Sequence, residues 1–329
     1  MNAPMPRHRA NSRFSASAPL DSFDNEDTVG FSAPRATAPR RTALSFEVMP
    51  PRRNADQEAI SELLTTLESY NPDYVSVTSS QNSGWLEGTA EFISKISATT
   101  RMRTLAHLAC TAGTREELIG WINRLMDAGV RGLLALRGDF AEGQHELPQG
   151  YLAHADQLVR LIRELEGNQA ARFGAGRLAI GVAAYPSGHA ESLNLDQDID
   201  VLLAKQRCGA DFAITQLFFD AEDYLRFQER ARLAGVRIPL IPGIMPMTSV
   251  RRLHRMGQLS GLTVPDRLIR QLEEVGPEGE HQTGLDLTAE LAQTVLDAGA
   301  GGLHVYTFNR SDVTEQLLSR IGIAPQLQS

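Results

Sequence analysis

From residue 42 to the C-terminus, short apolar runs alternate with longer amphipathic stretches, and the alternation occurs eight times. The runs fall at 44–49, 74–78, 104–108, 132–136, 178–184, 212–217, 239–241 and 303–306. Each is about as long as a strand, and the segments between them space their apolar residues as helices do. In 56–69, Ile60, Leu63, Leu64 and Leu67 recur at intervals that place them on one helical face. Thr114 stands where a helix N-cap is expected, with Glu116 and Glu117 in the first turn behind it. Gly129, Gly209, Gly235 and Gly299 each separate a helix from the next strand, where a left-handed cap is expected. Helical crossovers imply parallel strands, because tight hairpins join only antiparallel ones. Eight such units predict an α/β fold, a closed (β/α)8 TIM barrel forming one domain over 42–329. The alternative is an open doubly wound sheet, which usually carries a glycine-rich loop after its first strand. Here the first strand runs into Met49, Pro50 and Pro51, with no glycine.

Residues 1–41 break the pattern. Ala, Ser, Pro and Arg dominate, and no apolar period appears, so the segment reads as a disordered N-terminal tail. Asp21, Asp24, Glu26 and Asp27 argue against a transit peptide, which avoids acids. The formal net charge of −8 argues against a nucleic-acid surface, which needs an excess of Lys and Arg. Cys110 and Cys208 lie far apart and lack metal-ligand spacing, which fits a reducing cytoplasm and no metal site. No apolar run approaches the roughly 20 residues of a membrane span. Together these predict a cytoplasmic protein whose partners are small molecules rather than nucleic acid or membrane.

Parallel barrels place their chemistry at the C-terminal ends of their strands. Glu47 lies in the first strand, Thr78 ends the second, and His107 is near the end of the third. Arg137, Gly138 and Asp139 follow the fourth, Tyr185 and His189 the fifth, and Gln216 is near the end of the sixth. Tyr306, Asn309 and Arg310 end or follow the eighth. The seventh offers Pro242 and Gly243, where a missing side chain would let a ligand approach the backbone. This convergence on one rim predicts an active site there. Single residues stay ambiguous. Glu47 is either a catalytic acid or one half of a buried ion pair; a buried carboxyl needs a partner or a raised pKa. His107 reads as a site residue or as a hydrogen-bonded core histidine. Asn309, Arg310 and Ser311 also suit a helix N-cap.

The motifs, taken in order, resemble one known family. They are Phe46-Glu47 with Pro50-Pro51, Val75-Ser76-Val77-Thr78, Ala106-His107-Leu108, Leu136-Arg137-Gly138-Asp139, Ala184-Tyr185-Pro186 with His189, ITQLFFD at 214–220, Pro242-Gly243-Ile244 and Tyr306-Thr307-Phe308-Asn309-Arg310. Each is weak alone, but the ordered set, from about residue 44 to 323, is similar to the methylenetetrahydrofolate reductase family, in its bacterial form with the catalytic barrel only. The resemblance implies a homo-oligomeric flavoprotein that holds FAD at the C-terminal rim and takes NADH or NADPH as co-substrate. It implies reduction of 5,10-methylenetetrahydrofolate to 5-methyltetrahydrofolate, which supplies one-carbon metabolism with methyl groups for methionine synthesis.

By matching motif, Glu47 is the general acid that protonates N10 of the folate, and burial is expected to raise its pKa. Asp139 is the carboxylate near the pterin and flavin. Arg137, Gly138, His107, Tyr185, His189, Asp198, Lys205 and Ala155 match flavin-holding positions, with Lys205 suited to the diphosphate. Thr78 matches a nicotinamide contact, Gln216 a residue shared by folate and nicotinamide, and Arg310 a partner of the folate's glutamyl end. Ser79, His154, Arg252 and Met256 depart from residues common in the family. Two other readings compete: a flavin-free reductase passing hydride directly from NADH, and a folate-binding barrel without turnover.

Overall fold

The computed structural model describes residues 42–51, 56–79, 85–139, 146–174 and 176–326. The tail expected over 1–41 lies outside these residues. Six strands, β1 (Ala43–Val48), β2 (Tyr74–Val77), β3 (Thr104–Ala109), β4 (Gly132–Leu136), β5 (Ala179–Ala184) and β6 (Phe212–Thr215), pair in chain order and in parallel. The next strand comes in two pieces. β7 (Leu240–Ile241) pairs with β6, whereas β8 (Gly243–Ile244) pairs with β9 (Gly302–Tyr306), which returns to β1. Pro242 separates the pieces and has no N–H to give a ladder; its carbonyl accepts from the His304 N–H at 2.9 Å. The seventh barrel strand thereby changes partners halfway along. That change joins β6 to β9 and makes the sheet a ring, so the open doubly wound alternative is excluded.

Helices α1 (Gln57–Ser69), α2 (Trp85–Thr99), α3 (Arg115–Asp127), α4 (Ala155–Asn168), α5 (Leu195–Arg207) and α6 (Ala221–Ala234) each follow one of the first six strands. α7 (Val250–Ser260) and α8 (Asp266–Asp297) follow β8, and α9 (Ser311–Arg320) closes the chain. Thr114 caps α3 as expected, in a capping box with Glu117. Gly276, at φ 69°, and Pro277 kink α8. Among the described residues no helix is long and apolar enough to cross a membrane.

Strand side chains alternate between two packed layers. Leu44, Phe46, Val48, Val75 and Val77 join the core between barrel and helices. Tyr74, Leu105, Leu134, Ala179, Phe212 and Ile214 form a second cluster inside the barrel. Gly181 makes room for it: a Cβ there would meet the Phe212 ring at 2.8 Å. Full burial of such side chains contributes roughly 1.5–3 kcal/mol each. One position further along the same inward faces of β1, β2, β3 and β9 come Glu47, Ser76, His107 and Tyr306, and the interior turns polar toward the strands' C-terminal ends.

Candidate active site

Glu47 is the centre of this polar layer. His107 Nε2 lies 3.4 Å from its Oε2, and His304 Nε2 lies 3.8 Å from the same oxygen. The carboxyl keeps 20% of its exposure, while the His304 side chain has none. Two serines on neighbouring strands hold the imidazoles: Ser76 Oγ is 3.0 Å from His107 Nε2, and Ser45 Oγ is 2.8 Å from His304 Nδ1. Ser45 also donates to the Leu303 carbonyl at 3.3 Å. Ser45 thus fixes the Nδ1 side of the ring, and His304 turns Nε2 toward the carboxyl.

The expectation of a raised Glu47 pKa is corrected here. Burial does push it up, but the close approach and charge of the two imidazoles, His107 before His304, outweigh burial and hold the carboxyl down to about 2. The pocket wall that faces the carboxyl is imidazole, not hydrocarbon. His304 responds in kind: burial lowers its pKa, against the pull of Glu47. Acid chemistry at Glu47 therefore requires a proton to enter the cluster, and the Nε2 of an imidazole is the group placed to pass it on.

The seventh strand differs from expectation as well. Gly243 does not open the backbone to a ligand; a Cβ there would meet the Tyr306 ring at 2.7 Å. The glycine is needed because Tyr306 lies across it, its hydroxyl donating to the Thr215 carbonyl at 2.8 Å. Asn309 and Ser311 do not cap α9, whose N-cap position is Arg310, with no side-chain cap bond. Asn309 instead brackets Met49, accepting from its N–H at 2.9 Å and donating to its carbonyl at 2.8 Å. Thr307 Oγ1 donates to the Glu47 carbonyl at 2.6 Å. Two side chains after β9 thus hold the end of the strand that carries the acid.

A second set of predicted residues gathers around the ends of β4 and β5. Gly138, at φ 87°, lies in a left-handed turn where a Cβ would also come within 2.9 Å of the Ala109 Cβ, so no other residue fits without strain. Arg137 makes a two-pronged pair with Glu191, one contact at 2.9 Å. Lys205 is buried, donates to the Ala183 carbonyl at 2.9 Å, and sits 5.9 Å from the Tyr185 ring centre. Burial lowers its pKa to about 8, against the pull of Asp156 and Asp198. Asp198, also buried, accepts from the His189 N–H at 3.2 Å and from Ser192 Oγ at 2.7 Å. His189 packs edge-on against Tyr185 with ring centres 4.6 Å apart. Ala155 is buried at the first position of α4. A cleft of about 440 Å³ opens beside this group, lined by Gly188, His189, Asp198, Phe219, Asp223 and Thr263 among others.

Asp139 adjoins the second set: after Glu191 for Arg137, and burial for Tyr185, its charge helps to raise the pKa of both. Asp139 is exposed after β4, and Thr78 is half-buried after β2. The Gln216 side-chain carbonyl accepts from the neighbouring Leu217 N–H at 2.9 Å. Arg310 is exposed and paired with Asp312 at 2.7 Å. Sequence reasoning missed Ser45, Ser76, Glu191 and His304. The signal for three of them was period two: Ser45 precedes Glu47 by two positions, Ser76 precedes Thr78, and His304 precedes Tyr306, each pair sharing a strand face.

The sequence profile described as methylenetetrahydrofolate reductase matches residues 34–322. A Salmonella typhimurium protein named 5,10-methylenetetrahydrofolate reductase is 32% identical, over 86% of this chain and 92% of its own length. A protein of the same name from Pectobacterium carotovorum subsp. carotovorum is 30% identical, over 87% of this chain and 92% of its own. Among solved structures, a Clostridium thermocellum protein described as binding two copies of 5-methyl-5,6,7,8-tetrahydrofolic acid superimposes with a TM-score of 0.59. The match covers 87% of this chain and 95% of that one; at 14% identity it speaks to the fold alone.

Proposed function

The chain belongs to the methylenetetrahydrofolate reductase family, and from that premise we propose that it reduces 5,10-methylenetetrahydrofolate to 5-methyltetrahydrofolate at the expense of NADH or NADPH. The observation that carries this reading is the Glu47 carboxyl, partly exposed and held between two imidazoles at the polar end of the barrel. Glu47 delivers a proton to N10 of the folate. The bond from the bridging carbon to N10 breaks, its electron pair stays on nitrogen, and the iminium left at N5 accepts hydride at the bridging carbon. A proton from solvent replaces the one Glu47 gives up, passed on by His107, the nearer and less buried of the two imidazoles. Asp139, exposed after β4, offers electrostatic stabilisation to the cationic iminium.

The donor set along β4, β5 and α5 suits flavin adenine dinucleotide. Lys205 is a compact charge for the diphosphate, and Arg137, Gly138, Tyr185, His189, Asp198 and Ala155 supply the remaining contacts. Bound there, the flavin supplies a two-electron store between the nicotinamide and the folate carbon. Lys205 has two N–H donors beyond the one used on Ala183, and a diphosphate would compensate a cation that burial disfavours. Gln216 directs its amide donors to the folate, Thr78 meets the nicotinamide, and Arg310 meets the glutamyl carboxylate.

Stopped-flow measurement of the two half-reactions tests the reading. In Glu47→Gln, flavin reduction by NADH or NADPH should persist, while reduction of methylenetetrahydrofolate should slow by about 10²–10⁴, the usual contribution of a positioned acid. Equal loss in both halves would remove Glu47 from the role of acid.

A further inference from the structure

Arg252, in the first turn of α7, takes no part in the chemistry above, and its surroundings are costly. Its guanidinium carbon stands 4.4 Å from the centre of the Phe308 ring. Its Nε is buried and has no hydrogen-bond partner among the described residues. Burial, then the charge of Arg310, lowers its pKa, and no carboxylate among the described residues opposes them. Arg310 has Asp312 to balance it, at 2.7 Å. A cation drawn out of water beside a like charge, with an N–H left unpaired, is disfavoured unless something else completes it.

The platform beneath it is strained. Phe308 has φ 49°, a left-handed conformation that bulky side chains rarely adopt, and Asn309 follows at 57° in the same region, which asparagine tolerates. The bonds from Asn309 to Met49, and from Thr307 to the Glu47 carbonyl, hold this turn in place. Strain of about 1–3 kcal/mol per residue survives only where surroundings impose it, and it collects at ligand clamps. Here it sets the Phe308 ring under Arg252, two residues beyond Tyr306 and tied to the strand that carries Glu47.

We propose that Arg252, stacked on Phe308, binds an oxyanion, a phosphate monoester or a carboxylate, on the ligand that occupies the barrel mouth. A planar guanidinium with its face covered presents its N–H edge to either group. The assignment rests on the reductase reading, whose ligands offer two sources: the ribose 2′-phosphate that distinguishes NADPH from NADH, and the extra carboxylates of a polyglutamyl folate.

The test compares wild type with Arg252→Gln and Arg252→Lys by kcat/KM for NADPH against NADH, and for triglutamyl against monoglutamyl substrate. One of these two ratios should fall about ten-fold in R252Q, one charge-assisted contact's worth, and identify the source. R252K, which keeps the charge but not the stacked fork, should recover part of it. Both ratios within about two-fold of wild type would overturn the site, even if the absolute rates fell together, because that pattern marks packing alone. Absence of wild-type turnover would sink the reductase reading separately. Equilibrium binding of adenosine 2′,5′-bisphosphate and of pteroyltriglutamate to wild type and R252Q would then decide: weaker binding of either in R252Q by about ten-fold supports the site, and equal binding overturns it.

Discussion

Phe46 and Val48 flank Glu47 in the chain, yet both turn outward to the helices, and the carboxyl faces groups from β3 and β9. Its neighbours in sequence suggest a dry acid; its neighbours in space are proton carriers. Lys205 makes a similar point with opposite consequences. Its pKa falls from 10.5 to about 8, first because burial disfavours the ammonium. The folded state therefore binds this proton less tightly than the unfolded chain does. That penalty is fully present below about pH 8 and disappears as pH rises from about 8 to 10.5, so Lys205 makes stability rise with pH across that window. Replacement by Met, close in volume, should stabilise the flavin-free protein at pH 7 by about 1–3 kcal/mol, a gain that vanishes above about pH 10. Denaturant midpoints against pH would check this, and the same variant should lose flavin affinity. A pH-independent gain would mean that packing, not charge, caused it.

At the level of elements, one arginine joins a helix to two strands. Arg163 on α4 donates to Glu166 at 2.8 Å, to the Leu178 and Gly209 carbonyls at 2.9 and 2.8 Å, and to Asp211 at 2.6 Å. Asp211 in turn accepts from the Ile180 N–H, and Glu166 from that of Leu178. The cluster lies where β5 and β6 begin, away from the catalytic rim, where barrel residues serve stability. Arg163→Ala leaves Asp211 without its guanidinium and Glu166 with Arg177 alone, at 3.4 Å, and should cost about 3 kcal/mol in denaturant unfolding. Folded R163A should keep both half-reaction rates; a selective loss of one would give this cluster a catalytic role. Helix boundaries were less legible than helix starts. Apolar spacing marks helix at 266–274 and 287–296, yet the stretch between them is largely helical too. Gly284 explains part of this: a Cβ there would collide with the Met247 backbone, so the helix packs there by lacking a side chain, which no apolar period records.

The whole molecule depends on a seam. β7 and β8 divide one strand at Pro242 between two partners, and Gly243 admits Tyr306 to bond across to Thr215. Gly243→Ala would force a methyl group against that ring and the Thr215 backbone, and should destabilise by about 1–3 kcal/mol. Heat-denaturation midpoints measure the loss. A neutral substitution would mean that Tyr306 moves aside freely and is not part of the closure. Eight strand–helix units, their order and the rim on which polar groups collect were legible in the sequence. The partner exchange at Pro242 was not, because a proline in a short apolar run gives no indication which strands lie on either side.

Local patterning determined the parallel barrel by itself. Side-chain period and crossover length follow from the geometry of strand and helix, and both are written along the chain. Tertiary structure alone decided which groups surround Glu47, the stacking of Arg252 on Phe308 and the use of Gly243. Each depends on groups far apart in sequence and near in space, and electrostatic and steric energies depend on distance between atoms rather than on chain order.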